Sequence, residues 1–461
     1  MVEAAGRFDV FVIGGGGTGS EVAFELARRS GLRVGLAERD RLGGECNHYG
    51  CVPTKVMLRS AKIAQLARDG NRFGLRIPTV EVDLRAIQQR ARDIVQSQSG
   101  EGPAPFERIG VTVFLREARL VAERRIELDD GTTVEADRVV LATGTEPTAP
   151  PVPGLADGPY WTNREAIWEP DRPPASLAVI GAGAIGVEFA QIYARLGTTV
   201  TLLEAEPAIL PAEDDDVAAE LAPALAGEGI RLLSSVRIER AHHGPSGWEL
   251  RTAGGEVVRA EHVLVATGRR PVFDAHDLSA VGVELDPDGR PVLTDTLRTT
   301  AAGVWAAGDA TGELLFTHVG DYEAGIVIDD ILGSPRARDY RVVPRVTFCD
   351  PEVAGVGLTE RAAVELGREV VTAVERIADN ERSHIEGRTR GLVKLVADAR
   401  SGELLGGHIV AEEAGAMIHE IVAAMAGRVP AAAIGEAIHA YPTLSESVRG
   451  AFLTLASRVG D

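Results

Sequence analysis

Two of the three cysteines in this 461-residue chain lie five positions apart, in the segment GGECNHYGCVPTK at residues 43–55. Cys46 and Cys51 could form a redox disulfide, a structural disulfide or part of a metal site. The metal site has the least support, because structural zinc needs four ligands at other spacings and only His48 is close in the sequence.

A disulfide between these cysteines sets a geometric condition. On a straight helix, residues five apart have Cα atoms roughly 8–9 Å apart, whereas a disulfide needs less than about 7 Å. The segment must therefore be distorted, which Gly50 permits, and Pro53 is tolerated in a first helical turn but not well inside a helix. A helix that begins near Cys51 would also stabilise a thiolate there through its N–H groups and its dipole.

Lys55 follows the cysteine pair, and the chain has only two other lysines, Lys62 and Lys394. Of the 48 basic residues, 48 − 3 = 45 are therefore arginines. Because the sequence uses arginine wherever a generic positive charge suffices, a lysine beside the cysteines indicates a need for a compact ammonium group. The alternative is that three lysines must lie somewhere and that one lies here without functional reason.

The segment before the cysteines predicts a strand, a glycine turn, a helix and a second strand: DVFVIGGGGTGSEVAFELARRSGLRVGLAE. Its glycines follow the apolar strand with GxGxxG spacing, and an acidic residue closes the next strand: Gly14, Gly16, Gly19 and Glu38. This is the dinucleotide-binding fingerprint in its required context. The glycines admit a pyrophosphate, the helix N-terminus offers N–H groups, and the carboxylate accepts a ribose hydroxyl.

The same pattern recurs in LAVIGAGAIGVEFAQIYARLGTTVTLLE, where the corresponding residues are Gly181, Gly183, Gly186 and Glu204. Each copy is followed by a predicted strand that ends in ATG, at residues 142–144 and 266–268. Two such units predict two dinucleotide sites; the alternative is a duplicated scaffold with one inactive site. The segment GVWAAGDAT predicts a strand that runs into a turn, where Asp309 suits either a hydroxyl-rich ligand or a generic turn.

Length and composition exclude several classes of protein. The chain is too long for one core, and from about residue 340 strand-like and helical segments without a glycine fingerprint predict a third, α+β domain. A net charge of −20 argues against a nucleic-acid partner. No run of about 18 apolar residues predicts a membrane span. Nothing resembles a secretory signal and cysteines are few, so we expect a cytoplasmic protein.

The cysteine segment resembles the GGTCxNxGCxPSK/TK signature of the FAD-dependent pyridine nucleotide-disulfide oxidoreductases, in the branch of dihydrolipoamide dehydrogenase and mercuric reductase. The resemblance covers essentially the whole chain, including both fingerprints, both ATG strands, GVWAAGD, TFCDPEVAGVGLTE and HAYPTLSE. It implies an α/β fold with two Rossmann-like dinucleotide-binding domains and a C-terminal α+β dimerisation domain. The implied division is FAD-binding at 1–150 and 271–339, NAD-binding at 151–270, and dimerisation at 340–461.

The resemblance also assigns roles to residues. It implies that Cys51 lies next to the flavin and that Cys46 exchanges with substrate, while Lys55 pairs with Glu188 near the flavin. The implied FAD contacts are Gly14, Gly16, Gly19, Glu38, Gly44, Thr143, Gly144, Gly308 and Asp309. The implied NADH contacts are Gly181, Gly183, Gly186, Glu204 and Gly268. Glu204 favours NADH over NADPH, because a carboxylate repels a 2′-phosphate.

The sequence departs from the family pattern at HAYPTLSE. Tyr441 replaces the His that the family uses, from the partner subunit, as acid/base for the outer thiol, whereas Glu446 is retained. An unperturbed tyrosine is a poor general base at pH 7. His439 lies two residues upstream and is a possible substitute. His48 and Tyr49 also depart from the pattern, and they are expected, like Cys349, to have structural roles.

These observations predict a homodimer with active sites at the subunit interface. It would pass electrons from NADH through FAD and Cys46–Cys51 to a small-molecule or protein-bound disulfide, as dihydrolipoamide dehydrogenase does. The alternatives are a mercuric-reductase-like metal reductase, an NADH:quinone or dye reductase and a non-catalytic flavoprotein redox sensor. The first alternative is weakened by Glu204 and by a C-terminal segment, LTLASRVGD, that has no cysteine pair.

Overall fold

The structure is a computed structural model that describes residues 6–99, 102–272 and 278–459. The chain divides into two units. The first comprises Met1–Pro53, Gln88–Thr148 and Arg269–Asp339. The second comprises Thr54–Ile87, Ala149–Gly268 and Tyr340–Asp461. Two helices, Cys51–Arg68 and Leu84–Ser99, run across points at which the chain passes from one unit to the other.

A five-stranded parallel sheet carries the first fingerprint. In spatial order its strands are Val304–Ala306, Val139–Leu141, Val10–Ile13, Val34–Ala37 and Thr112–Phe114. Alternate residues of the buried Val10–Ile13 strand face opposite sides, as the strand period of two requires. Val10 and Val12 join a core with residues of the Gly17–Ser30 and Thr317–Ile331 helices, whereas Phe11 and Ile13 join a second core.

That second core also includes residues of a four-stranded sheet. Its strands are Arg7–Phe8, Thr133–Ala136, Arg125–Leu128 and Ala118–Ala122. The strands Thr145–Pro147 and Arg269–Pro271 form a separate antiparallel pair. The remaining helical elements of the first unit are Gly44–His48, Ala104–Glu107 and the short 3-10 segments Leu278–Val281 and Gly308–Thr311.

The second fingerprint lies on a four-stranded parallel sheet in the second unit. Its strands, in order, are Arg231–Leu233, Thr199–Leu203, Ser176–Ile180 and His262–Val265. A three-stranded antiparallel sheet of Ile238–Gly244, Gly247–Thr252 and Val257–Ala260 shares a core with one face of it. The helical elements of this part are Asn163–Trp168, Ala184–Arg195, Asp215–Gly227 and the 3-10 segment Asp69–Phe73.

The C-terminal part of the second unit is α+β, as predicted. Its antiparallel sheet has the order Pro344–Thr347, Glu352–Gly357, Leu404–Ala411, Leu392–Asp398 and Val370–Arg376. The helical elements are Glu360–Glu365, Ile377–Asp379 (3-10), Glu381–Ile385, Ala414–Ala426, Ala431–Glu436 and Ser445–Val459.

The predicted fold class is thus confirmed, whereas the predicted division by cofactor stays a prediction. Over the part of the chain that the structure describes, no helix is both long and apolar enough to cross a membrane.

Candidate functional site

The three glycines of the first fingerprint, Gly14, Gly16 and Gly19, differ in what an added side chain would meet. Gly14 has a φ of +105°, and a Cβ there would lie 2.2 Å from the Ala142 carbonyl oxygen. A Cβ on Gly19 would lie 1.9 Å from the Gly14 oxygen. At Gly16, which precedes the Gly17–Ser30 helix, a Cβ would meet no described atom within 4 Å. The chain's own packing therefore demands Gly14 and Gly19, whereas Gly16 leaves open space at a helix N-terminus.

The second fingerprint repeats this arrangement. Gly181 has a φ of +97°, and its added Cβ would lie 2.5 Å from the Ala266 oxygen. A Cβ on Gly186 would lie 1.9 Å from the Gly181 oxygen, and one on Gly183 would again meet none of the described atoms within 4 Å. Both loops thus offer open space beside helix N–H groups, which fits the pyrophosphate of a dinucleotide.

Glu38 and Glu204 hold their loops through matching hydrogen bonds. The N–H groups of Gly15 and Asp40 donate to the two Glu38 carboxylate oxygens at 2.7 and 2.8 Å. The N–H groups of Ala182 and Glu206 donate to those of Glu204 at 2.7 and 2.9 Å. Since each carboxylate oxygen can accept a second hydrogen bond, both glutamates fit a ribose hydroxyl as well as their own loop.

Asp309 is a partly buried carboxylate in the 3-10 segment Gly308–Thr311, which follows the Val304–Ala306 strand. Burial raises its pKa, although the Thr145 hydroxyl donates to it at 3.1 Å and lowers it. Nearby on the ATG segment, the buried Thr143 hydroxyl has no hydrogen-bond partner among the described residues. A desolvated carboxylate and an unpaired buried hydroxyl both suit a hydroxyl-rich ligand such as FAD.

Glycines bring the backbone of these loops close together. A Cβ on Gly44 would lie 2.7 Å from the Gly16 Cα, so glycine permits the cysteine segment to lie against the fingerprint loop. A Cβ on Gly308, whose φ is +69°, would lie 2.5 Å from the Thr18 hydroxyl. Gly144 and Gly268 also have positive φ values. Their predicted cofactor contacts stay predictions.

The cysteine segment has the break that a redox pair requires. The Gly44–His48 helix ends before Tyr49 and Gly50, and a new helix begins at Cys51. The predicted distortion and the predicted helix start are both confirmed. Pro53 lies in the first turn of the new helix, where its missing N–H costs no helical hydrogen bond.

The hydroxyl of Thr317 lies close to both thiols, and the sequence alone did not identify this residue. Its hydroxyl donates to Cys46 Sγ at 3.1 Å and lies 3.7 Å from Cys51 Sγ. The hydrogen bond to Cys51 and burial raise the pKa of the Cys46 thiol, whereas Thr317 acts to lower it. No motif marks Thr317, which opens a helix eight residues after Asp309.

Arg269 connects the cysteine segment to Asp309, and it too was missed. Its guanidinium lies 3.3 Å from the Glu45 carboxylate and donates at 2.9 Å to the hydroxyl and to the carbonyl of Thr145. The Thr145 hydroxyl in turn donates to Asp309. The only available sequence signal was that Arg269 directly follows the second ATG segment.

The departures within the cysteine segment make local contacts. His48 is buried, with Nε2 2.9 Å from the Leu42 carbonyl oxygen, and the Tyr49 hydroxyl donates to Asp40 at 2.8 Å. Cys349 is buried as well, and burial raises its thiol pKa. These contacts are consistent with the predicted structural roles.

Lys55 pairs with Glu188, as predicted. Its Nζ lies 3.0 and 2.8 Å from the two carboxylate oxygens of Glu188, whose side chain is only 4% exposed. Glu188 also accepts the N–H of Phe348 at 2.9 Å, and the ammonium lies 4.7 Å from the centre of the Phe348 ring. The predicted position of Lys55 near the flavin stays a prediction.

Tyr441 is 69% exposed in the single chain, and a hydrogen bond to Glu381 raises its phenol pKa above the ordinary 10. Glu446 accepts the N–H of Thr443 at 3.1 Å. His439 lies with Nε2 2.8 Å from a Glu420 carboxylate oxygen. The His–Glu pair of this region is therefore His439–Glu420, and Tyr441 is poorly suited to accept a proton at neutral pH.

Comparison with known proteins agrees with this geometry. The family described as pyridine nucleotide-disulphide oxidoreductase matches residues 8–324, and the dimerisation domain of that family matches residues 343–452. The chain is 36% identical over 468 residues to a dihydrolipoyl dehydrogenase of Chlorobaculum tepidum, covering 99% of this chain and 98% of the relative. It is 35% identical to a mercuric reductase of Acidithiobacillus ferrooxidans, covering 98% and 83%.

Solved structures show the same fold. The HOCl-induced flavoprotein disulfide reductase RclA from Escherichia coli superposes with a TM-score of 0.87 at 27% identity, covering 96% of this chain and 99% of that one. LpdA from Mycobacterium tuberculosis also gives a TM-score of 0.87 at 27% identity, covering 98% and 100%.

Proposed function

Since the chain belongs to the pyridine nucleotide-disulphide oxidoreductase family and is an FAD-dependent disulfide oxidoreductase, we propose that it uses NADH to reduce a disulfide acceptor through Cys46 and Cys51. One observation carries this proposal. Both thiols lie within reach of a single hydroxyl, on a segment whose Gly44 packs against the first fingerprint loop. The nearest activity is that of dihydrolipoyl dehydrogenase.

Residues of the first unit would hold FAD. The pyrophosphate would lie at Gly16, Glu38 would accept a ribose hydroxyl, and Thr143 and Asp309 would contact the hydroxyl groups of the cofactor. When bound, FAD would take a hydride equivalent from NADH and supply the electrons that reduce the Cys46–Cys51 disulfide. Glu204 would hold the NADH ribose at the second fingerprint.

The reduced cysteine pair would then carry out the exchange with the acceptor. The Cys46 thiolate attacks one sulfur of the acceptor disulfide, so a mixed disulfide forms and one acceptor thiolate leaves. Cys51 then attacks Cys46 Sγ, which releases the second acceptor thiolate and restores the Cys46–Cys51 disulfide. Two protons and two electrons pass from the protein dithiol to the two acceptor thiols.

Tyr441 favours one direction of this exchange. A phenol with a raised pKa does not take a proton from a substrate thiol at pH 7, but it donates a hydrogen bond to a leaving thiolate. Disulfide reduction should therefore proceed more readily than dihydrolipoamide oxidation.

The dimerisation domain indicates a homodimer. We place Tyr441 and Glu446 of one subunit at the cysteines of the other, so that each active site needs both chains. The division by cofactor given above, with FAD at 1–150 and 271–339 and NADH at 151–270, is part of this proposal. A cytoplasmic location stays a prediction.

A thiol-binding metal ion is the second candidate acceptor. The mercuric reductase relatives and a Cu(II) complex of RclA among the similar structures favour it. The paired thiols of Cys46 and Cys51 are suitable ligands for such ions.

An acceptor panel tests the proposal. NADH oxidation would be measured with lipoamide, a small disulfide, Hg²⁺ and a quinone, using wild type, Cys46→Ser and Cys51→Ser. We expect disulfide reduction in the wild type and its loss in both variants. Faster turnover with Hg²⁺ would favour the metal reductase, and quinone turnover that survives both substitutions without disulfide reduction would identify a diaphorase. Flavin reduction without repeated turnover on any acceptor would indicate a sensor.

A further inference from the structure

Thr317 is placed to act on the redox pair from within the same unit. It is the first residue of the Thr317–Ile331 helix, and its side chain reaches both sulfurs. The donor–acceptor distance to Cys46 is short for a hydrogen bond to sulfur, while the distance to Cys51 is longer by about half an ångström. The hydroxyl therefore contacts mainly the sulfur that would exchange with substrate.

Cys46 needs such a contact because its ionisation is opposed. It is partly buried, and a thiolate on Cys51 would repel a second negative charge beside it. The first thiolate should form on Cys51, because the helix that begins at that residue stabilises a negative charge there. A hydrogen bond that strengthens when Cys46 becomes charged would offset part of this opposition.

We propose that Thr317 is a catalytic hydrogen-bond donor, whose hydroxyl stabilises the Cys46 thiolate that attacks the acceptor. The proposal rests on the proposed function of Cys46 and Cys51 as the redox pair. Thr317 does not remove the proton, which passes to water or to the departing acceptor thiolate. It lowers the free energy of the anion, so a site with Tyr441 in place of a basic His still contains a reactive thiolate.

Three other charged or titratable side chains, those of Glu45, Arg269 and His318, belong to or contact residues next to Cys46 or Thr317. Glu45 precedes Cys46 and is paired with Arg269, and His318 follows Thr317 on the helix. Substitutions of Thr317 leave all three groups in place. A change in the ionisation of Cys46 would therefore report the loss of the hydroxyl.

Alkylation of Cys46 tests the proposal directly. Holoenzyme would be reduced anaerobically, treated with iodoacetamide from pH 5 to 9 and digested, and modified Cys46 would be quantified by mass spectrometry. In Thr317→Val, which keeps the shape but not the hydroxyl, the pH midpoint should rise by about one unit and the rate at pH 7 should fall about tenfold. Thr317→Ser should match the wild type.

Thr198→Val is the matched control, because the Thr198 hydroxyl is buried and has no hydrogen-bond partner among the described residues. It should not change the alkylation of Cys46. Thr317→Ala provides the second hydroxyl-free variant if valine prevents FAD binding. An unchanged profile in both hydroxyl-free variants overturns the proposal, as does an equal shift in Thr317→Ser, which would indicate packing.

Two methods of reduction separate this inference from the proposed function. Dithiothreitol opens the disulfide without NADH, so the Thr317 effect is measured in that sample. NADH must expose the same thiol in the wild type if the pair is on the electron path. Should NADH leave Cys46 unmodified while dithiothreitol exposes it, the proposed function fails, and the catalytic role of Thr317 fails with it.

Discussion

Replacing Glu204 with glutamine should change the nucleotide preference of the enzyme. In the structure the carboxylate is buried and each of its oxygens accepts one backbone N–H, from Ala182 and from Glu206. One acceptor position per oxygen remains for the ribose of NADH at the proposed site. The 2′-phosphate of NADPH would bring about two negative charges to the same place, beside a carboxylate that its loop holds fixed.

The size of the effect follows from these contacts. Two unit charges about 5 Å apart interact by ~3 kcal/mol at an effective dielectric constant of about 20, before screening by salt. We therefore expect about 2 kcal/mol of discrimination to disappear in Glu204→Gln, so that the ratio of kcat/KM for NADPH to kcat/KM for NADH rises about 30-fold. The amide can accept only one of the two N–H groups through its oxygen. That loss costs about 1 kcal/mol and should lower kcat/KM for both nucleotides about fivefold, so kcat/KM for NADPH rises about sixfold overall.

The chain supplies its own control. Glu38 makes the same pair of backbone hydrogen bonds in the first fingerprint, so Glu38→Gln perturbs its loop in the same way. It should weaken FAD retention and leave the ratio of kcat/KM for NADH and NADPH unchanged. Steady-state kinetics with both nucleotides, on FAD-saturated enzyme, gives the ratios. An unchanged ratio in Glu204→Gln, or an equal change in Glu38→Gln, would refute the assignment of the two sites.

Other substitutions test the cysteine environment and the assembly. Lys55→Met leaves the buried Glu188 carboxylate without its ammonium partner. It should lower the free energy of unfolding, measured in urea, by about 2–3 kcal/mol. The matched control Lys62→Met, whose ion pair is about a fifth exposed, should lower the free energy of unfolding by about 1 kcal/mol or less. Tyr441→His should raise the rate of dihydrolipoamide oxidation at pH 7 at least about tenfold, because it introduces a base. The rate of the NADH-driven direction should rise less. The wild-type rate of dihydrolipoamide oxidation should climb from pH 7 to 9, and a bell-shaped wild-type profile near pH 7 would contradict the poor basicity of Tyr441. Mixed dimers of Cys46→Ser and inactive Tyr441→Ala chains should regain part of the disulfide reductase activity, whereas a fully active monomer would exclude the shared site.

The parts of the site that the sequence predicts are those whose geometry is local. Glu38 and Glu204 follow their glycine loops at a fixed distance, so a strand, a turn and a helix suffice to place the carboxylate at its backbone donors. Thr317 and Arg269 are different. Each reaches the cysteine segment across more than 200 positions of sequence, and only the folded chain brings them there, so no spacing rule could identify them.

The C-terminal sheet shows another limit. From the sequence alone, RVVPRVTF, GLVKLVAD and ELLGGHIV are the strand-like segments, and they contain three of its strands. The strands Glu352–Gly357 and Val370–Arg376 were missed. The first has the sequence EVAGVG, and glycine inside a strand weakens the signal. A Cβ on Gly355 would lie 2.9 Å from a carboxylate oxygen of Glu213, which pairs with Arg345. Glycine is therefore present to admit an ion pair, which local propensity does not reveal.

The scarcity of lysine predicted that Lys55 matters, but the structure changes the reason. All three lysines pair with carboxylates: Lys62 lies 2.7 Å from Glu412, and the buried Lys394 lies 2.6–2.8 Å from three carboxylates, those of Asp214, Asp216 and Glu360. A lysine in this arginine-rich chain therefore indicates an ion pair in general, and not specifically a role beside the cysteines. What distinguishes Lys55 is its position four residues after Cys51 on one helix, because residues at that spacing share a helix face.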